Sequence, residues 1–170
     1  MIKNEYLKEN EYIIQKMMRI PALKPFKEED IYEMLEKSQT RIFKAGELIL
    51  EESNYSNLIY YLISGRVRVV KDGIKLAVLQ RVGDIFGEMG PISGSTRSAS
   101  VYAEDNIVCI EIDISHIYEV AGGNIYSFRY IVLRGFAETL TNRLKVTTEK
   151  LIQAREEITR LQALVKKRNV

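Results

Sequence analysis

The sequence has very little of several residue types that mark particular protein classes. It contains one cysteine, Cys109, one histidine, His116, three prolines and no tryptophan. A single cysteine cannot form a disulfide within the chain, which favours a reducing compartment such as the cytoplasm. A single histidine outside any cysteine cluster argues against a zinc site. It also argues against a metal enzyme on a jelly-roll fold, because that chemistry uses several imidazole ligands.

Long apolar runs and a strong charge imbalance are also missing. The longest apolar runs are short, such as Leu58–Ile63, and their length is far below the ~18 residues that a membrane span needs. The charged first ten residues lack the apolar region of a secretory signal. The net charge of +2 is too small to indicate nucleic-acid binding by itself. With 46% apolar and 28% charged residues in 170 positions, we expect one globular domain with a small appendage.

The pattern of the chain divides it into three predicted segments. Residues 1–40 are predicted to be helical, because Ile13, Met17 and similar residues recur at helical spacing. Residues 41–122 contain short apolar runs every 8–12 residues with glycine-bearing turns between them, followed by a short helix. Such spacing is typical of a barrel or a jelly roll. Residues 123–170 are predicted to form one long helix, so the fold class is α+β.

The long C-terminal helix carries an apolar stripe with a seven-residue period. A stripe of this kind predicts a coiled coil and therefore a homodimer, although one amphipathic helix docked on its own domain would show it too. Thr147 interrupts the stripe and gives little burial. Residues 143–170 hold eight basic and three acidic residues, which suit a solvated surface or, alternatively, contact with nucleic acid or an acidic partner. The predicted seam consists of Leu140, Leu144, Leu151, Ala154, Ile158, Leu161 and Val165.

A glycine-rich stretch over residues 83–103 is the most informative part of the sequence. Its glycines allow main-chain N–H groups to approach a ligand closely. Arg97 offers a two-pronged donor that suits a phosphate, and Glu88 can accept hydrogen bonds from sugar hydroxyls. Together these features predict a pocket for a phosphorylated sugar. The alternative is a glycine-rich hairpin loop with a surface glutamate and arginine. The pattern is neither a P-loop nor a dinucleotide-binding turn.

The stretch resembles the phosphate-binding cassette of cyclic nucleotide-binding domains. The match lies in Phe86–Gly90 and in Arg97–Val101, which stand at the usual separation. The resemblance implies N-terminal helices, an eight-stranded β-roll (a double-stranded β-helix, or jelly roll) and a long C-terminal dimerisation helix. Pro91 departs from the family pattern, which usually has leucine there, and the loop before Arg97 is short.

The resemblance also implies roles for individual residues of the cassette. The Gly87 amide and the Glu88 carboxylate would bind the ribose 2′-hydroxyl. Arg97 would pair with the phosphate oxygens, and Ser98 would donate its amide to the phosphate. Apolar residues would line the pocket at Val69, Phe86 and Met89.

A second resemblance concerns residues 143–150, which are similar to the central helix of the bacterial catabolite activators, or cAMP receptor proteins. It implies that Thr147 bonds the adenine amino group, that Thr148 reaches the nucleotide of the partner subunit, and that Arg143 packs by the base. These residues favour cAMP as the ligand. Ser98 leaves cGMP as an alternative ligand, because a hydroxyl after the cassette arginine can also contact a guanine amino group.

These observations predict a bacterial, cytoplasmic regulatory protein and not an enzyme. It would act as a homodimeric cyclic nucleotide sensor, with no metal, no DNA contact, and no DNA-binding or catalytic output domain. Its output would be read by an unknown protein partner on the helix tail. The alternative is a structural or interaction protein whose β-roll no longer binds nucleotide and whose coiled coil docks a partner.

Overall fold

The β structure forms two antiparallel four-stranded sheets in a jelly-roll arrangement. The computed structural model describes residues 11–115 and 125–168. One sheet has the order β1-β8-β3-β6 and the other has the order β2-β7-β4-β5. The predicted α+β jelly roll with a long C-terminal helix is therefore confirmed. The strands are β1 (Gln39–Phe43), β2 (Leu48–Leu50), β3 (Leu58–Ser64), β4 (Val67–Lys71), β5 (Ile74–Leu79), β6 (Ile85–Phe86), β7 (Ser100–Ala103) and β8 (Ile107–Asp113).

The helices of the described chain lie before the roll, within the glycine-rich stretch and at the C-terminal end. Residues 11–17 are helical, and a 3-10 turn follows at Pro21–Leu23. Helix α1 spans Glu28–Glu36, and its first turn is closed by the Lys27 N–H, which donates to Asp30 Oδ2 at 3.0 Å. Helix α2 spans Met89–Ser93 and helix α3 spans Ile125–Arg168. None of the helices in the described residues combines the length and apolarity that crossing a membrane requires.

Strand β3 is buried on both faces and joins the two hydrophobic cores. Its odd-numbered residues, from Ile59 to Ile63, pack in the cluster that includes the N-terminal helices and α3. The intervening Tyr60 and Leu62 pack in the second cluster, between the two sheets. Because side chains alternate across a strand, one continuous apolar run supplies both cores.

Contacts divide the chain into two compact units, Met1–Phe136 and Ala137–Val170. The boundaries at residues 40 and 122 stay a prediction. His116 and most of the predicted short helix lie outside the described residues. Cys109 is fully buried between the sheets, and burial raises the pKa of its thiol to about 12. This environment is typical of an unreactive core thiol.

Helix α3 approaches the roll closely at one glycine within the first unit. A Cβ atom at Gly135 would lie 2.6 Å from the Tyr61 hydroxyl and 2.9 Å from Ile85 Cδ1. The Tyr61 hydroxyl is buried and has no hydrogen-bond partner among the described residues. Tyr61 and Ile85 face each other across β3 and β6. The absence of a side chain at Gly135 therefore determines how closely the helix packs on this pair.

We expect Gly135→Ala to destabilise the protein although alanine is the better helix former. The helix preference would contribute about 1 kcal/mol in favour of alanine. Overpacking a tight core contact costs about 1–3 kcal/mol. The net loss should appear as a lower free energy of unfolding in urea. Tyr61→Phe, which removes the nearest atom, should reduce the loss in a double variant. An equal loss with and without the Tyr61 hydroxyl would contradict this account.

Candidate functional site

Arg97 is a buried cation held by two backbone carbonyl groups. Only 4% of its surface is exposed. Its Nη2 donates to the Leu58 carbonyl at 2.6 Å and its Nη1 donates to the Gly87 carbonyl. Its Nε has no hydrogen-bond partner among the described residues. Burial lowers the pKa of Arg97 from its ordinary value, but arginine starts so high that the group stays charged. The guanidinium therefore has a fixed orientation and a free donor.

The backbone of Arg97 is held as firmly as its side chain. The Ser53 N–H donates to the Arg97 carbonyl at 2.9 Å, and the Arg97 N–H donates to the Asn54 carbonyl at 2.8 Å. Ser53 has a φ of 67°, in the left-handed region that non-glycine residues rarely adopt. The loop between β2 and β3 thus pairs with the chain just before β7.

Gly87 is the residue that lets the chain turn beneath the guanidinium. Its φ is 83°, and a Cβ atom there would lie 2.8 Å from Leu50 Cδ1 and 3.2 Å from Arg97 Nη1. A side chain would therefore meet both backbone strain and crowding. The turn directs the Gly87 carbonyl to Arg97. Gly87 therefore contacts the arginine that is predicted to bind the phosphate.

Glu88 is the second buried charged residue at the site, with 1% of its surface exposed. Its negative charge raises the pKa of Arg97, against the larger effect of burial. The structure therefore brings Gly87, Glu88 and Arg97 together. Their roles toward a ligand stay a prediction.

Met89 and Ser98 lie at the exposed edge of the same site. The Ser98 hydroxyl donates to Met89 Sδ at 3.6 Å, and Met89 is half exposed. Met89 begins the short helix α2, in which Pro91 occupies the first turn, where a missing N–H breaks no helical bond. The alternative of a plain surface loop does not describe Glu88 and Arg97, because both are buried.

The predicted pocket-lining residues differ in how deeply they are buried. Phe86 is buried and stacks on Tyr60, with ring centroids 5.1 Å apart and an interplanar angle of 9°. The Tyr60 hydroxyl donates to Glu111 at 2.8 Å, and burial raises the pKa of Tyr60. Val69 is partly buried and packs against the same core cluster. Phe86 is thus a core residue, while Val69 lies at the border of the core.

The remaining predicted site residues lie on α3, in the second unit. Thr147 and Thr148 are exposed on the helix surface, and Arg143 is partly buried. The apolar seam residues are exposed as well, with Leu144 at 70%, Leu151 at 52% and Val165 at 59%. Base recognition and pairing of α3 therefore stay predictions, and their residues are accessible in this single chain.

Several residues that build the site carried no signal in the sequence. The carbonyl groups of Asn54 and Leu58 bind Arg97, but every residue has a carbonyl, so composition cannot single them out. The left-handed conformation of Ser53 was missed for another reason, since glycine or asparagine is the usual signal for that conformation. Tyr60 lies in the apolar run Leu58–Ile63, and nothing in the sequence indicated its position beside the site.

Within residues 11–115 and 125–168, no group of three or more histidine, cysteine, aspartate or glutamate side chains could hold a metal ion.

A family model of the cyclic nucleotide-binding domain matches residues 40–124, half of the chain. A cGMP-dependent protein kinase of Toxoplasma gondii is 31% identical over 100 residues, which are 54% of this chain and 10% of the kinase. The chain thus spans about a tenth of the length of that relative.

Two solved structures share the fold. A cyclic nucleotide-binding domain from Methylobacillus flagellatus has a TM-score of 0.69 and 22% identity, covering 85% of this chain and 83% of that one. The Thermus thermophilus catabolite activator protein has a TM-score of 0.62 and 23% identity, covering 78% of this chain and 62% of that one. These two likenesses show the fold of the chain. With the cassette residues gathered around Arg97, the chain belongs to the cyclic nucleotide-binding domain family.

Proposed function

We propose that this chain is a regulatory sensor that binds cAMP in preference to cGMP and acts as a homodimer through α3. The observation that carries the proposal is the environment of Arg97. Two carbonyl groups hydrogen-bond its guanidinium without cancelling its charge, and Nε has no partner among the described residues. A buried cation with a free donor is best compensated by an anion, and a phosphate accepts such donors well.

The surroundings of Arg97 suit a cyclic nucleotide better than a free phosphate. Glu88 adds a buried acceptor next to the cation, as a ribose hydroxyl would require. The Ser98 hydroxyl and the half-exposed Met89 lie at the rim, where a sugar and a base would enter. One cation, one buried acceptor and an apolar rim correspond to the phosphate, ribose and base of the ligand.

The choice between cAMP and cGMP rests on α3. Thr147 and Thr148 offer exposed hydroxyls that suit an adenine amino group, by the resemblance of residues 143–150 to the catabolite activators. Ser98 and the similarity to a cGMP-dependent kinase make cGMP the second candidate. Binding would stabilise the arrangement in which two α3 helices enclose the base, and a partner would read that change from the helix.

Arg97→Ala should lower cAMP affinity by at least ~2 kcal/mol, about thirtyfold, because a buried phosphate would lose its counter-charge. The measurement is calorimetric titration of cAMP, and separately of cGMP, into protein unfolded, stripped of nucleotide and refolded. Arg97→Lys keeps the charge but cannot reach both carbonyl groups, and we expect it to bind weakly as well.

The matched control is Arg66→Ala, which removes an exposed arginine paired with Asp105 at 2.9 Å. It should leave nucleotide affinity unchanged. Equal affinity in Arg97→Ala and the parent protein would refute the site. Folded parent protein that binds neither nucleotide would refute the sensor and favour the interaction protein, with α3 as its functional part.

The homodimer is supported by the exposed apolar stripe on α3. Leu144, Leu151, Ile158 and Val165 recur every seven residues and each exposes more than half of its surface. Apolar residues at this spacing are the ones that a second helix covers in a coiled coil. Exposed Thr147 in the seam gives little burial, which suits a pairing that a bound nucleotide strengthens.

A lysine in the seam should dissociate the dimer, because pairing would bury its charge. We expect Leu151→Lys to be monomeric in sedimentation equilibrium where the parent protein is dimeric. Ile152→Lys is the matched control, since Ile152 is as exposed as Leu151, at 51% against 52%, but lies outside the seam. If the two variants have the same oligomeric state, pairing through this seam is wrong.

A further inference from the structure

The turn between β4 and β5 reaches across to the cassette. Asp72 and Gly73 both have positive φ, 50° and 77°, as a tight two-residue hairpin requires. This turn places the Lys71 ammonium 3.0 Å from the Ser98 carbonyl, to which it donates. Lys71 also lies 3.4 Å from Glu52 Oε1 in an ion pair. The other Glu52 oxygen accepts from the Asp72 N–H at 3.2 Å.

The same glutamate belongs to the loop that holds Arg97. The Glu52 N–H donates to the Ser100 hydroxyl at 3.0 Å, and the next two residues of the loop bond both backbone groups of Arg97. Segment 97–100 is therefore bonded by two pieces of chain that are distant in sequence. The Glu52–Lys71 pair joins those two pieces to each other.

We propose that Glu52 and Lys71 are positioning residues for the ligand phosphate: they fix the backbone of Arg97 and Ser98 before the ligand arrives. The proposal rests on the proposed function of this site as a nucleotide pocket. Donors must be held within about 0.5 Å of their working positions to bind well. A segment that is ordered in advance pays less conformational entropy on binding.

The exposure of the Lys71–Glu52 pair distinguishes a positioning role from a role in folding stability. The Lys71 and Glu52 side chains are 48% and 25% exposed, and surface pairs of this kind contribute little to folding stability. Loss of the pair should therefore change the order of segment 97–100 and ligand affinity, with little change in the free energy of unfolding. The left-handed Ser53 fits this account, because strained backbone persists where surrounding bonds hold it.

The chain offers a closely matched control. Lys75 lies on the other strand of the same hairpin and pairs with Glu104, with exposures of 52% and 17%. Neither residue contacts the cassette in the described bonds. Lys75→Met thus removes an equivalent surface pair from the same hairpin without touching Ser98.

The experiment compares the parent protein, Lys71→Met, Lys71→Arg and Lys75→Met. Amide hydrogen exchange of the ligand-free proteins reports the order of segment 97–100, and cAMP and cGMP titrations report affinity. We expect Lys71→Met to exchange faster there and to bind about three- to tenfold more weakly. Lys71→Arg keeps a cation and its donors, so we expect its exchange in segment 97–100 and its nucleotide affinity to stay near those of the parent protein. Lys75→Met should behave like the parent protein, and thermal midpoints should stay close together.

Any other result contradicts either the positioning role or the proposed function. Unchanged exchange in Lys71→Met overturns the positioning role, whatever the ligand. Faster exchange with parental affinity overturns it too, because the ordering would then not serve binding. A parent protein that binds neither nucleotide overturns the proposed function, and the role in ligand binding falls with it.

Discussion

The burial of one arginine is the constraint on which the rest of the site depends. A guanidinium with almost no exposed surface needs acceptors inside the protein, and here the main chain supplies them for Nη1 and Nη2. The Leu58 carbonyl comes from the start of β3, and the Gly87 carbonyl comes from the turn after β6. Two strands and a turn are therefore fixed relative to one cation. The positive φ of Gly87 follows from this, since it directs the carbonyl at Arg97.

The framework around Arg97 is built on β3, which contributes side chains to both cores. Its Tyr61 side packs with the N-terminal helices and α3, and its Tyr60 side stacks on Phe86 between the sheets. Phe86 is followed directly by the Gly87 turn. The Gly87 carbonyl that accepts from Arg97 is therefore one residue away from a buried, stacked ring.

The sequence predicted the regular elements well where a period could be counted. Short apolar runs predicted β structure within residues 41–122, and the helix predicted over residues 123–170 corresponds to α3, Ile125–Arg168. Strand β6 was missed because two residues, Ile85 and Phe86, are too few to show alternation. In the site, Arg97 and Glu88 could be chosen by their chemistry, because few charged residues stand in the glycine-rich stretch. Their burial could not, since it depends on packing between distant segments.

By itself, the sequence determined which chemical groups this protein can offer: one cassette arginine and one cassette glutamate, glycines where the chain must turn, and a seven-residue apolar stripe on a long helix. Only the tertiary structure decided how the arginine is held. Its partners are backbone carbonyls from segments roughly ten and forty residues away, and the Glu52–Lys71 pair joins a loop to a hairpin turn. The sequence specifies each side chain directly. Every residue has a carbonyl, so a particular carbonyl becomes the acceptor for Arg97 only when folding brings it beside the guanidinium.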